Sequence, residues 1–252
     1  MVKWMQLILE KVIDNTQNAF VPGRSIFDNI LLVQEILSGY NQKHLPPRCT
    51  IKVDLQKAYD MVNWEYLLAV MKLFKFLTRF ISWVEQCIST TYFSISLDGS
   101  IHGFFPSSRG LRQRDPISPY LFVLIMESLH HKSKTMQDAN FKADIYSVTV
   151  LHEVLEEFRI LSGLPANAQK SQILLSKAAE QHEQQIVNLL GFPRGTLPVR
   201  YLGILLITSK LSIADCAPLL QRIDSRIAGW IQANLSYAGR TQLIKSVINA
   251  IM

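Results

Sequence analysis

Ile51-Lys-Val-Asp-Leu-Gln-Lys-Ala-Tyr-Asp60 decides how the chain is read. Residues 50 to 55 alternate apolar and polar side chains, the period of a half-buried strand, and this strand delivers Asp54 at its end. Tyr59 follows five residues on. A lone aspartate at a strand end serves most often as a turn or cap residue. Set on an apolar strand with an aromatic close behind, it is also a candidate Mg²⁺ ligand. An absence bears on that choice: no Asp-Asp pair occurs anywhere in the 252 residues. Two-metal chemistry needs further carboxylates to clamp the attacking and leaving oxygens.

Composition narrows the class. The chain is 48% hydrophobic, 18% charged and 10% aromatic, an ordinary globular balance, and it is long enough for a sizeable core. A net charge of +6 suits a polyanionic partner, although the excess is spread thinly and forms no basic tail. Cys49, Cys87 and Cys216 are far apart and odd in number, without the spacing of a disulfide framework or zinc site. They point to a reducing compartment, nucleus or cytoplasm. The longest apolar run, Tyr120 to Met126, is too short to span a bilayer, so no membrane partner is expected. The N-terminus carries Glu10 and Asp14 and no small-residue cleavage site, which makes it a poor signal peptide; its helical opening suggests a missing upstream segment.

Caps and turn residues place the elements. Ser25 caps a helix to Tyr40, Asn63 caps one from Trp64 to Phe76, and a third runs from Thr78 to Thr91. Asp98-Gly99 joins two short strands as a hairpin turn. Ser118-Pro119 opens a helix to Met136, and Ser147 opens another that Gly163 closes. Further helices are expected at 178–190, 212–230 and 236–251, with one strand from Tyr201 to Ile207. Strands and helices are interspersed without strict alternation, which favours an α+β sheet with helices on one face. His130-His131 is more economically a partly exposed helix face than a metal pair, since neighbouring helical residues point in different directions.

Four further stretches join the aspartate strand: NAFVPGRSIFDNILL at 18–32, SSRGLRQRDPISPYLF at 107–122, FRILSGLPANAQKS at 158–171 and LPVRYLGILL at 197–206. In this order and spacing they closely resemble the reverse transcriptase of non-LTR (LINE-type) retrotransposons, the kind abundant in plant genomes. The resemblance implies a partial polymerase palm and fingers, an antiparallel sheet backed by helices, over 1–207. It implies a helical start of the thumb over 208–252. An RNA template, a DNA primer and Mg²⁺ come with it.

The same resemblance assigns roles by position. Asp54 matches the first metal-binding aspartate, and the carbonyl of Leu55 the accompanying contact. Tyr59 matches the aromatic gate whose ring fills the space of a ribose 2′-hydroxyl. Gln113 and Arg114 lie in the loop that packs on the nucleotide, while Arg24 and Lys52 are candidate phosphate or template contacts. Lys170 corresponds to the lysine that protonates the pyrophosphate leaving group. Tyr201-Leu202-Gly203 resembles the primer grip.

Two departures stand against activity. Where the family has Arg-Gln-Gly-Asp-Pro, this chain has Arg112-Gln113-Arg114-Asp115-Pro116, a long cation in place of a glycine that lets substrate approach the backbone. The family's Phe/Tyr-Ala-Asp-Asp hairpin should follow the helix ending near Met136. Here Asn140-Phe-Lys runs directly into Ala143-Asp-Ile-Tyr-Ser-Val148, which resembles the segment after that hairpin. An internal deletion near 140–144 is therefore expected. It should leave strand edges and the apolar faces of the helices at 118–136 and 147–163 without partners.

Overall fold

The strand that leads to Asp54 is Cys49–Lys52, shorter than the expected 50–55, and it pairs antiparallel with a strand more than a hundred residues away. The computed structural model describes residues 1–42, 44, 46–137 and 143–207, and beyond them 217, 220, 221, 223–225, 227, 228 and 236–243. In chain order the elements are α1 (Val2–Val12), α2 (Ile26–Leu37), β1 (Cys49–Lys52), α3 (Trp64–Leu73), α4 (Thr78–Ser89), β2 (Tyr92–Leu97) and β3 (Ser100–Pro106). There follow α5 (Ser118–Gln137), α6 (Ile145–Ser162), β4 (Gln172–Leu175), a 3₁₀ segment (Lys177–His182), α7 (Glu183–Leu190), β5 (Val199–Tyr201), β6 (Ile204–Leu206) and α8 (Tyr237–Leu243).

The expected caps form. Ser25 Oγ accepts from Phe27 N, and Asn63 Oδ1 from Tyr66 N. Gly163 closes α6 at φ 76° with its N–H on Arg159 O. The opening cap of α6 is Asp144, whose carboxylate accepts from Ser147 N, so the helix starts two residues before the expected Ser147. Asp98 and Gly99 take φ 49° and 80° and turn β2 into β3, as the dipeptide dictates.

Three two-stranded antiparallel sheets result: β1–β4, β2–β3 and β5–β6. In the first, Thr50 faces Leu174 and Lys52 faces Gln172. Strand alternation then gives the sheet two distinct faces. Cys49, Ile51 and Val53 join Ile173 and Leu175 in a cluster with α6 and α7. Leu174, on the other face, packs with Leu37 and Tyr40 at the end of α2 and with Val199 and Leu206 of β5–β6. Tyr40, 1% exposed, donates to Leu174 O at 2.8 Å and ties α2 to the sheet. Among the described residues no strand pairs with the other edge of β1.

The main core lies between α1, α3, α4 and α5, with Phe158 of α6 and Leu164 completing it. Two expectations are corrected here. Helix α5 is not bared: α1, α3 and α6 cover it, and none of its residues 118–134 is an exposed large apolar side chain. On α6, exposed large apolar side chains are confined to Tyr146, Ile160 and Leu161. The expected single strand Tyr201–Ile207 is instead a hairpin, because Leu202 and Gly203 take φ 50° and 86° and reverse the chain. The expected helix at 178–190 begins as a 3₁₀ segment. Strand β4 was not foreseen. The deletion point near 140–144 lies for the most part outside the described residues, as do the helix at 212–230 and most of that at 236–251. Among the described residues no helix is long and apolar enough to cross a membrane.

Candidate active site

Asp54 is held through its backbone. Its N–H donates to Ser171 Oγ at 3.0 Å and its C=O accepts from Asn167 N at 2.7 Å. Leu55 bridges Ala166, and Gln56 N donates to Pro165 O at 2.9 Å. The turn from 165 to 171 therefore clamps the end of β1 residue by residue. Ser171, the acceptor, is fully buried. Lys170 sits exposed on this same turn. The sequence alone does not single out Asn167 or Ser171, although both lie in the stretch at 158–171. Their signal was a turn-forming Asn four residues before a small hydroxyl.

Tyr59 is fixed from the other side. Its half-buried ring stacks on Phe122 of α5 at 5.1 Å and 21° between planes, and burial raises its phenol pKa. Its carbonyl accepts from Leu111 N at 2.6 Å. Gly110 N donates to Val62 O at 2.8 Å, and Trp64 Nε1 donates to Gly110 O at 2.6 Å. Gly110 has φ 89°, and a Cβ there would lie 2.6 Å from Asp60 O. The loop at 107–117 can thus lie flat on the 57–62 turn only with glycine at that point. Gln113 Nε2 closes the contact on Asp60 Oδ1 at 3.1 Å. Beside this loop lies a cavity of about 490 Å³ lined by Asp60, Phe93, Arg109, Arg112 and Gln113 among others; Asp54, Tyr59 and Lys170 do not line it.

Arg114 occupies φ 68°, a left-handed conformation that suits the glycine of the resembling motif, and its side chain is exposed. Lys52 shares the sheet face of Asp54. Arg24 uses its guanidinium internally: Nη1 donates to Asp14 O and Gln17 O at 2.6 and 2.8 Å, and Nη2 to Ile13 O at 3.0 Å, so it caps the end of α1. Tyr201 is half-buried against the Leu174 cluster, whereas Leu202 stands 54% exposed at the tip of the β5–β6 turn beside Gly203. Gln34 of α2 secures this hairpin, giving Nε2–H to Ile207 O at 2.7 Å and accepting from Ile207 N at 3.3 Å.

Reverse transcriptases as a family use divalent metal ions. Asp54 and the Leu55 carbonyl supply one carboxylate and one neutral oxygen, enough for a share in one Mg²⁺ completed by water and phosphate. Among the described residues no three Asp, Glu, His or Cys side chains converge, and Asp60 is engaged by Gln113.

Residues 1–206 match the family described as reverse transcriptase (RNA-dependent DNA polymerase). The chain is 28% identical over 123 residues, 49% of its length, to the Transposon TX1 uncharacterized 149 kDa protein of Xenopus laevis. It is 28% identical over 116 residues, 46% of its length, to the Pol polyprotein of the type-2 retrotransposable element R2DM of Drosophila melanogaster. It spans only 9% and 11% of those two relatives. An uncharacterized mitochondrial protein of Arabidopsis thaliana shares 43% identity over 47 residues, 19% of this chain and 38% of that protein. In fold it is similar to apo telomerase from Candida tropicalis truncated from its C-terminal domain, at a TM-score of 0.53 and 15% identity over 84% of this chain and 44% of that one. The chain belongs to the reverse transcriptase family, with non-LTR retrotransposon proteins among its relatives.

Proposed function

We propose that this chain is a retrotransposon reverse transcriptase fragment, an RNA-directed DNA polymerase by descent, that does not itself extend a primer. The observation that carries this reading is the isolation of Asp54: Ser171 and Asn167 hold its backbone, and no group of three Asp, Glu, His or Cys side chains forms around it among the described residues. The interval between α5 and α6 supports the same reading. Only residues 138–144 separate the two helices, whereas a minimal hairpin of two strands and its turn takes about eight. The Phe/Tyr-Ala-Asp-Asp segment is accordingly absent through internal deletion. Asp54 with Leu55 and Tyr59 is then the remnant of the metal and nucleotide site, Lys170 its leaving-group lysine, and Tyr201-Leu202-Gly203 its primer grip. Residues 1–207 are the fingers and palm, and 208–252 begin the thumb. The match to the Arabidopsis protein supports a plant lineage, and the cysteine pattern supports a nuclear or cytoplasmic site.

Primer extension on an RNA template with Mg²⁺ or Mn²⁺ tests this directly. No template-dependent incorporation is expected, because one aspartate cannot hold two cations around the developing charge, and such a loss costs orders of magnitude in rate. Incorporation that disappears in Asp54→Asn would overturn it. A second reading, a non-catalytic nucleic-acid-binding remnant, is favoured by exposed Arg109, Arg112 and Arg114 beside the aromatic β2–β3 hairpin. Affinity for single-stranded RNA that falls linearly with log salt, at a slope reporting several phosphates, would establish it. Absence of binding at moderate salt leaves the inert fragment.

A further inference from the structure

The open edge of β1 carries a sequence that complements itself in one register. Even-numbered residues of this strand turn their peptide groups toward β4: Arg48 O accepts from Ser176 N, Asp54 N donates to Ser171 Oγ, and Asp54 O accepts from Asn167 N. The N–H and C=O groups of Cys49, Ile51 and Val53 therefore face the other edge. No strand occupies that edge among the described residues. All three residues are half-buried, not enclosed in the core. Such a row of groups is a template for a further strand.

We propose that this edge pairs with the same edge of a second copy of the chain, antiparallel and two-fold symmetric about Ile51, giving a sheet in the order β4–β1–β1–β4. Charge selects the register. Centred on Ile51, the pairing sets Arg48 against the partner's Asp54, Thr50 against the partner's Lys52, and Cys49 against the partner's Val53. Sliding two residues one way sets Lys52 against the partner's Lys52. Sliding two the other way sets it against the partner's Arg48, and like charges directly opposite are unfavourable. A one-residue slip turns the outward peptide groups out of phase with their partners and puts the apolar and polar faces of the two strands on opposite sides. The symmetric pairing is isologous, so each contact is made twice.

The side chains are disposed for it. The Asp54 carboxylate has no hydrogen-bond or ion-pair partner among the described residues, and the Arg48 guanidinium uses Nη1 alone, on Ile36 O at 3.2 Å. Pairing therefore neutralises both copies of Asp54 and closes the candidate site with a strand. The inference rests on the strand edge and its charges, not on the loss of polymerase activity. Dimerisation and primer extension are read separately, so failure of one is distinguishable from failure of the other.

Sedimentation velocity on the full chain tests it. A dimer is expected at micromolar concentration. Arg48→Asp, which sets carboxylate against carboxylate twice, should weaken dimerisation by about tenfold or more. Combining Arg48→Asp with Asp54→Arg should restore it to within about threefold, since the pair is re-formed with its ends exchanged. Thr50→Lys, which opposes two ammonium groups without touching Arg48 or Asp54, should weaken it as well, with far-ultraviolet circular dichroism confirming that each variant is folded. A chain that stays monomeric to about 100 μM, one that forms open-ended aggregates in place of dimers, or a dimer indifferent to both Arg48→Asp and Thr50→Lys overturns the proposal.

Discussion

Two regions meet the Asp54–Asp60 segment, and they are built to different standards of closure. On one side the loop at 107–117 lies against the 57–62 turn through Gly110, Leu111, Trp64 and Gln113, and behind it α1, α3, α4 and α5 enclose a continuous apolar core. On the other side the sheet has two strands among the described residues, and β1 is paired there along a single edge. Cohesion there comes from the 165–171 turn, from Tyr40, and from Gln34 on the β5–β6 hairpin. The helical half closes by short-range packing. The sheet half needs partners distant in sequence.

The largest effect belongs to the closed side. Gly110→Ala adds a Cβ 2.6 Å from a backbone oxygen at a φ of 89°. Strain and overpacking together should cost about 2–4 kcal/mol, read as a fall in the urea midpoint with unchanged slope. A loss below about 0.5 kcal/mol would mean that the loop lifts off the turn and that the two sides are equally loose.

Next in size is the clamp on the open side. Ser171→Ala removes the acceptor for Asp54 N–H at a fully buried position, which should cost about 1–3 kcal/mol. Hydrogen exchange at Asp54 should rise with it. Exchange that is already fast in the parent chain would show that the edge of the sheet opens without help.

Much of this contrast could be read in the residues. Ser25, Asn63 and Gly163 announced their helix ends, and Asp98-Gly99 its turn, because each acts on neighbours within a few positions. Motif order implies a shared site for Asp54, Tyr59 and the loop at 107–117, and the structure lays that loop on the 57–62 turn. What escaped was non-local or broke a local rule. β4 is four residues long and exists through pairing with β1, and Leu202 turns the chain although a bulky side chain disfavours positive φ. Arg24 looked like a template contact by position, and only the folded chain shows three carbonyls gathered around it.

Alkaline pH probes the buried groups of the sheet. Burial pushes the Cys49 thiol from 9.0 up to about 11 and the Tyr40 phenol from 10.0 up to about 12. Both ionise more readily in the unfolded chain, so the folded state binds more protons and stability falls as pH rises. The contribution is complete below pH 9 and declines between 9 and 12. Tyr40→Phe should cost about 1 kcal/mol at neutral pH through the lost bond to Leu174 O, and should remove the upper part of the alkaline decline. A decline whose upper part is unchanged in that variant would place its origin outside Tyr40.

Arg114 gives the smallest effect and the sharpest test of how local the closed side is. The residue stands where glycine is expected, at φ 68°, with its side chain exposed and outside the cavity lining. A non-glycine residue in this conformation carries a cost of about 1 kcal/mol, while glycine gives back part of that gain through greater freedom in the unfolded chain. Arg114→Gly should therefore stabilise the chain by about 0.5 kcal/mol, with no change in the primer-extension background. An exposed guanidinium can swing away from the 57–62 turn, so the arginine is tolerated by the fold. Destabilisation on removing it would show instead that Arg114 makes a contact that its exposure conceals, and that the loop is held by more than Gly110 and Gln113.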